Sequence, residues 1–97
     1  MAASLVPMQI MEKTMVLLEI LDEMSKKGSM MAISDVGVGV QFARTALLGA
    51  VMNVYINTKS MKNREEADKL NKKADTMVLE GTKQADAIYA QVLEKIK

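Results

Sequence analysis

The chain has 97 residues, balances 13 basic against 12 acidic side chains for a net charge of +1, and contains neither Cys nor His. That length suits one domain with a modest core, and so even a charge balance gives no electrostatic footing for nucleic acid or an anionic membrane surface. Without Cys and His there is no disulfide, thiol nucleophile, imidazole base or usual zinc or haem ligand, so no metal site is expected.

A single Pro and many strong helix formers predict an all-α, three-helix chain forming one domain over residues 1–97. The opening MAASLVP lacks the basic and apolar regions of a signal peptide, and a cytoplasmic location is expected. The first helix is predicted from Pro7 to Lys27, because Pro suits the first helical position, where its missing N–H is not needed. Ile10, Leu17, Leu18, Leu21 and Met24 fall on one broad side, with Glu12, Glu19, Glu23 and Lys26 opposite. Asp22/Lys26 and Glu23/Lys27 make favourable pairs one turn apart, and Gly28 ends the helix. Gly28 to Ile33 then reads as a short apolar loop whose Met30 and Met31 tuck under a neighbour.

The second helix is predicted from Ser34 to Asn57, with Ser34 as N-cap and Asp35 in the first turn. Val36 to Val40 also alternates like a short strand, but no second strand exists to pair with it. The segment is long enough to span a membrane, but Gln41, Arg44 and Asn53 make that costly, and no membrane association is expected. Gly39, Ala43, Ala46, Ala50, Asn53 and Asn57 form a narrow stripe along which another helix can approach, and Val40, Leu47, Val51 and Val54 adjoin it. A helix apolar on nearly every face must be covered all round. The chain is therefore expected to be part of an antiparallel helical bundle and oligomeric, because a monomer would expose a large apolar patch.

The polar run TKSMKN, residues 58–63, breaks the chain before a third helix from Arg64 to the end. Ala67, Leu70, Ala74, Met77, Gly81, Ala85, Ile88, Val92 and Ile96 keep helical spacing and give that helix a narrow face of mostly small residues.

Few residues suggest chemistry. Ser34-Asp35 reads either as a helix cap or as part of an anion-binding helix N-terminus. Asn53 and Asn57, one turn apart on a face expected to be buried, either bond across a helix interface or hold a polar ligand. Arg44, inside an apolar helix, needs a carboxylate or a route to solvent. The ten methionines are scattered rather than striped, which fits gap-filling in a core. No P-loop or dinucleotide fingerprint is present.

Four stretches taken together carry a family pattern: Gly28-Ser29; Ala32-Ile33-Ser34-Asp35-Val36-Gly37-Val38; Ala43-Arg44-Thr45-Ala46-Leu47-Leu48-Gly49-Ala50; and Asn53-Val54-Tyr55-Ile56-Asn57-Thr58-Lys59. The pattern resembles the C-terminal half of the cyclodeaminase/cyclohydrolase family, which includes formiminotetrahydrofolate cyclodeaminases and methenyltetrahydrofolate cyclohydrolases. The Pro-Gly-Gly-Gly-Ser turn and acidic helix of that family's N-terminal half do not occur here. The resemblance implies an all-helical, dimeric fold and a tetrahydrofolate derivative as substrate, with no bound cofactor. It makes Ser34, Asp35, Asn53 and Asn57 the candidate substrate-binding residues and leaves the catalytic residues unassigned. One expectation is part of a folate one-carbon enzyme, acting as a homo-oligomer or with a separate N-terminal-half polypeptide. The other is a non-catalytic helical module for oligomerisation or partner binding.

Overall fold

The computed structural model describes the backbone of residues 2–27 and 30–97, and the side chains of residues 6–26 and 33–97. It contains α1 (Ala2–Lys27), α2 (Met30–Lys59) and α3 (Arg64–Ile96), with no strand among the described residues. Val36 to Val40 is therefore helical. None of these helices is long and apolar enough to cross a membrane.

Contacts step down one helix as they step up the next. Glycines 37 and 81 sit against Val92 and Leu47 respectively, and Tyr55 bonds Asp75, so α2 and α3 run antiparallel. Glu12 pairs with Lys73 at 3.5 Å and Lys95 Nζ donates to the Ser25 carbonyl, so α1 and α3 run parallel. The result is an up-down-up bundle 50 Å long and 18 by 16 Å across, with α2 packed on both neighbours.

The core has two parts. Leu18, Leu21, Val36, Val40, Ile88 and Val92 fill one end, and Met8, Met11, Leu47, Val54, Ala74 and Met77 fill the other. Met15 packs against both. At this junction stands Gly81, where a Cβ would lie 2.4 Å from Leu47 Cδ2 and 2.8 Å from Met15 Sδ. Only a residue without a side chain lets α3 settle this close. The face expected of the third helix is the observed one: Ala67, Ala74, Met77, Gly81, Ala85, Ile88 and Val92 are buried, Leu70 is half-buried and only Ile96 is exposed. Val40, Leu47, Val51 and Val54 are buried as expected.

Four expectations need correction. First, α1 starts at Ala2, so Pro7 lies inside it, where its ring removes the backbone bond reaching back one turn. Second, the buried face of α1 is Met8, Met11, Thr14, Leu18, Leu21 and Ser25, while Ile10, Leu17 and Met24 are exposed. The buried Thr14 and Ser25 hide this face from a hydropathy wheel; their hydroxyls donate to the carbonyls of Ile10 and Asp22 at 2.7 Å. Third, α2 begins at Met30, one turn before Ser34, so the loop is shorter than expected and Ser34 is not a cap. Fourth, the small-residue stripe is only partly covered: Ala43 and Ala50 are buried and Gly39 meets Leu21 of α1, but Ala46 and Asn53 are exposed. The expected role of Gly28 and the packing of Met30 and Met31 lie outside the described residues. The Asp22–Lys26 pair forms at 3.3 Å.

The junction yields a stability prediction. Gly81→Val drives a branched side chain into Leu47 and Met15, and should lower unfolding stability by about 1–3 kcal/mol in urea denaturation. Unchanged stability would show that the two core parts are not held by this close approach.

Candidate functional site

The candidate residues all lie on α2, but at opposite ends. Asp35 and Asn53 are 18 residues apart, a rise of about 27 Å. Ser34 and Asp35 are both exposed, in the second turn of the helix. Within one chain, the Ser34-Asp35 pair and the Asn53-Asn57 pair therefore do not enclose a common small pocket.

The C-terminal end of α2 is the more elaborate. Asn53 is exposed and Asn57 half-buried, which corrects the expectation of a buried amide face. They adjoin the buried Val54 and Thr58 along the helix. The Asn57 amide donates to the Asn53 carbonyl at 2.8 Å, a bond within the helix rather than across an interface.

The neighbouring polar groups are tied to α3. Thr58 is buried, and its hydroxyl donates to Asn71 Oδ1 at 2.6 Å. Arg64 donates from Nη1 to the carbonyls of Thr58 and Lys59 at the end of α2 and of Met61 in the turn that follows. Asn63 caps α3, its side chain accepting from the Glu66 N–H at 3.1 Å. Tyr55 donates its hydroxyl to Asp75. Partial burial, that hydrogen bond and the negative charge of Asp75 together push the Tyr55 hydroxyl from its ordinary 10.0 up to about 12.

Sequence reasoning missed Thr58–Asn71 and Tyr55–Asp75, since no local spacing links residues on different helices. It did anticipate the need of Arg44, whose Nε donates to Asp86 Oδ1 at 3.0 Å, across to α3.

Toward the N-terminal end of α2, a shallow groove of about 300 Å³ is lined by Gly37, Val38, Gln41, Phe42, Thr45 and Tyr89. Its lining is largely apolar and contains none of the four candidate residues. Among the described residues, no group of three or more His, Cys, Asp or Glu converges as a metal site would require.

The Formiminotransferase-cyclodeaminase family profile matches residues 1–76, which takes in α1, α2 and the first part of α3. A methenyltetrahydrofolate cyclohydrolase of Methylorubrum extorquens is 30% identical over 79 residues, covering 81% of this chain and 38% of that protein. The chain thus aligns with well under half of that relative's length. No solved structure matches.

The Tyr55 contact predicts a pH dependence. Because the folded hydroxyl is more weakly acidic than the ordinary 10.0, the contact contributes fully below that pH and is lost as pH rises toward about 12. In a phenolate absorbance titration, Asp75→Asn should bring Tyr55 ionisation down toward its ordinary range. An unmoved titration would show that Asp75 does not hold the proton in place.

Proposed function

Because the chain belongs to the formiminotransferase-cyclodeaminase family, we propose that it supplies one helical part of a folate one-carbon site. The reaction there would be hydrolysis of the methenyl bridge of methenyltetrahydrofolate or loss of ammonia from formiminotetrahydrofolate. The remaining part of the site would come from a second copy or from a separate polypeptide related to the family's N-terminal half.

The observation that carries this reading is the position of the amides. Asn53 and Asn57 lie inside the matched region and outside the chain's own core, Asn53 exposed and Asn57 half-buried. An amide presents both donors and an acceptor, as recognition of a pterin ring or its bridge requires. Asp35, also exposed, accepts an N–H or steers a proton, and Ser34 offers a hydroxyl beside it. The residues around them do structural work: Thr58, Asn71 and Arg64 hold the end of α2 in place, so the amides sit on a rigid support. No residue is assigned as the catalytic base.

The second reading, a non-catalytic helical module, is favoured by one observation. The three helices satisfy most of the polar groups near the amides, and the chain has no His or Cys for proton transfer or nucleophilic attack.

The two readings separate by experiment. Purified chain is titrated with methenyltetrahydrofolate and the absorbance of the methenyl bridge followed, with and without a polypeptide carrying the family's N-terminal half. The folate reading expects binding, and faster loss of the bridge when the second polypeptide is present. Asn53→Ala should weaken binding by about tenfold, the equivalent of one lost hydrogen bond to ligand, while leaving the fold unchanged. Absence of binding and of bridge loss in both arms would remove this reading and leave the helical module.

A further inference from the structure

The groove between α2 and Tyr89 takes no part in the chemistry proposed above. The chain has only three aromatic side chains, and two of them, its single Phe and Tyr89, line this one groove. Phe42 is 72% exposed, the most open of the large apolar side chains among the described residues. Left in water it adds little to the fold, but it presents a flat apolar face to a ligand. Tyr89 is half-buried and packs against the core part that contains Leu18 and Ile88, so it forms a fixed wall. Gly37 adds no side chain to fill the space. A volume of about 300 Å³ is that of a small ligand cleft.

The polar groups of the lining are unpaired. Among the described residues, the Gln41 amide and the hydroxyls of Thr45 and Tyr89 make no hydrogen bond within the chain. Thr45 differs in this from its counterparts. Thr14, Thr76 and Thr82 each donate to the carbonyl one turn back, and Thr58 donates to Asn71. The six lining residues carry no charge. Arg44, the one charged residue of α2 between Asp35 and Lys59, is bound to Asp86.

We propose that this groove binds a purine-type ring, held against Phe42 and Tyr89 with its hydrogen-bonding edge on Gln41. Each feature of the lining selects for that chemistry. Two aromatic walls suit a flat ring, and a lining without charge suits an uncharged one. A primary amide sets a donor beside an acceptor, the pattern that pairs with the N6–H and N7 edge of adenine. Gln41 and Thr45 stand one turn apart, about 6 Å along α2, so the Thr45 hydroxyl stays within reach of the same ring. Tyr89 brings a further hydroxyl from α3. A wholly apolar ligand would cover these groups without satisfying them, which costs free energy, and a charged one would find no partner. The groove is shallow, so the base of a nucleoside is what it recognises and the sugar stays in solvent. None of its residues belongs to the Ser34, Asp35, Asn53 and Asn57 set, and the proposal does not depend on the folate reading.

The test uses the full chain with adenosine as probe, and purine riboside, which lacks only the 6-amino group, for comparison. Having one Phe, the chain gives a single set of Phe ring signals in its NMR spectrum. Adenosine titrated to millimolar concentration should shift these signals and the Gln41 side-chain amide saturably. Purine riboside should bind about tenfold more weakly, for want of one hydrogen bond. Phe42→Ala should weaken adenosine binding at least fivefold, as expected for a lost stacking face. Gln41→Leu should remove the preference for adenosine over purine riboside, which a merely structural role would leave unchanged. Both side chains are exposed, so helical circular dichroism should stay the same. No saturable shift, equal binding of the two nucleosides, or a preference that survives Gln41→Leu would overturn the proposal. Methenyltetrahydrofolate keeps the two sites apart. If it displaces adenosine, the groove is part of the folate site and the separate purine site is overturned. If adenosine binds and methenyltetrahydrofolate does not, the purine site stands and the folate reading falls.

Discussion

Everything in this bundle depends on how closely α3 can lie against the other two helices near its middle. At Gly81 the α3 backbone presses against Leu47 of α2 and Met15 of α1, with no side chain between. Met15 packs on both halves of the core, so this contact makes one core out of two. The same tight approach recurs at Gly37, where a Cβ would lie 2.9 Å from Val92 Cγ1. With α2 gripped at both places, Val36, Val40, Leu47, Val51 and Val54 face inward, and the opposite side of the helix is left without cover.

The polar groups show a division of labour along α2. At its C-terminal end, Thr58–Asn71, Tyr55–Asp75 and the Arg64 cap bind the helix to α3. Thr58 is buried, so its hydroxyl would be costly without Asn71, and this end is anchored by bonds as well as packing. The N-terminal end relies on apolar contact from Ile33, Val36 and Val40. Asn53 and Asn57 stand on the well-anchored end, the better place for side chains that must hold a ligand in a fixed orientation.

The exposed surfaces are as informative as the core. Helix α1 leaves Val6, Ile10, Leu17, Ile20 and Met24 outside, and α2 leaves Val38, Phe42, Met52 and Ile56. Among the described residues, α1, α2 and α3 bury one stripe of each helix and leave these other faces uncovered. The matched relative has a much longer chain. Further helices or a second copy would bury surfaces of this kind, which is the common physical basis of the two completions proposed for the site.

Much of this was legible in the sequence. Helical type followed from composition. The α3 face followed from spacing, because small and apolar residues there alternate cleanly with charge. The inward row of α2 and the need of Arg44 for a carboxylate were also readable, as was the family, from motifs on α2. Three things were not. The buried face of α1 is hidden from the sequence because Thr14 and Ser25 satisfy themselves on their own helix and so enter the core, while apolar Ile10, Leu17 and Met24 remain outside. The start of α2 is a turn earlier than Ser34 suggests, because that residue has the chemistry of a cap and the helix nevertheless continues through it. Most consequential is which face of α2 is left open. Its sequence is apolar in almost every direction, so periodicity cannot choose among them. Only the tertiary structure decides, by setting Gly37, Gly39 and Leu47 against particular partners on α1 and α3. That choice turns Asn53 outward, separates Asp35 from it along one helix, and leaves Val38, Phe42, Met52 and Ile56 exposed.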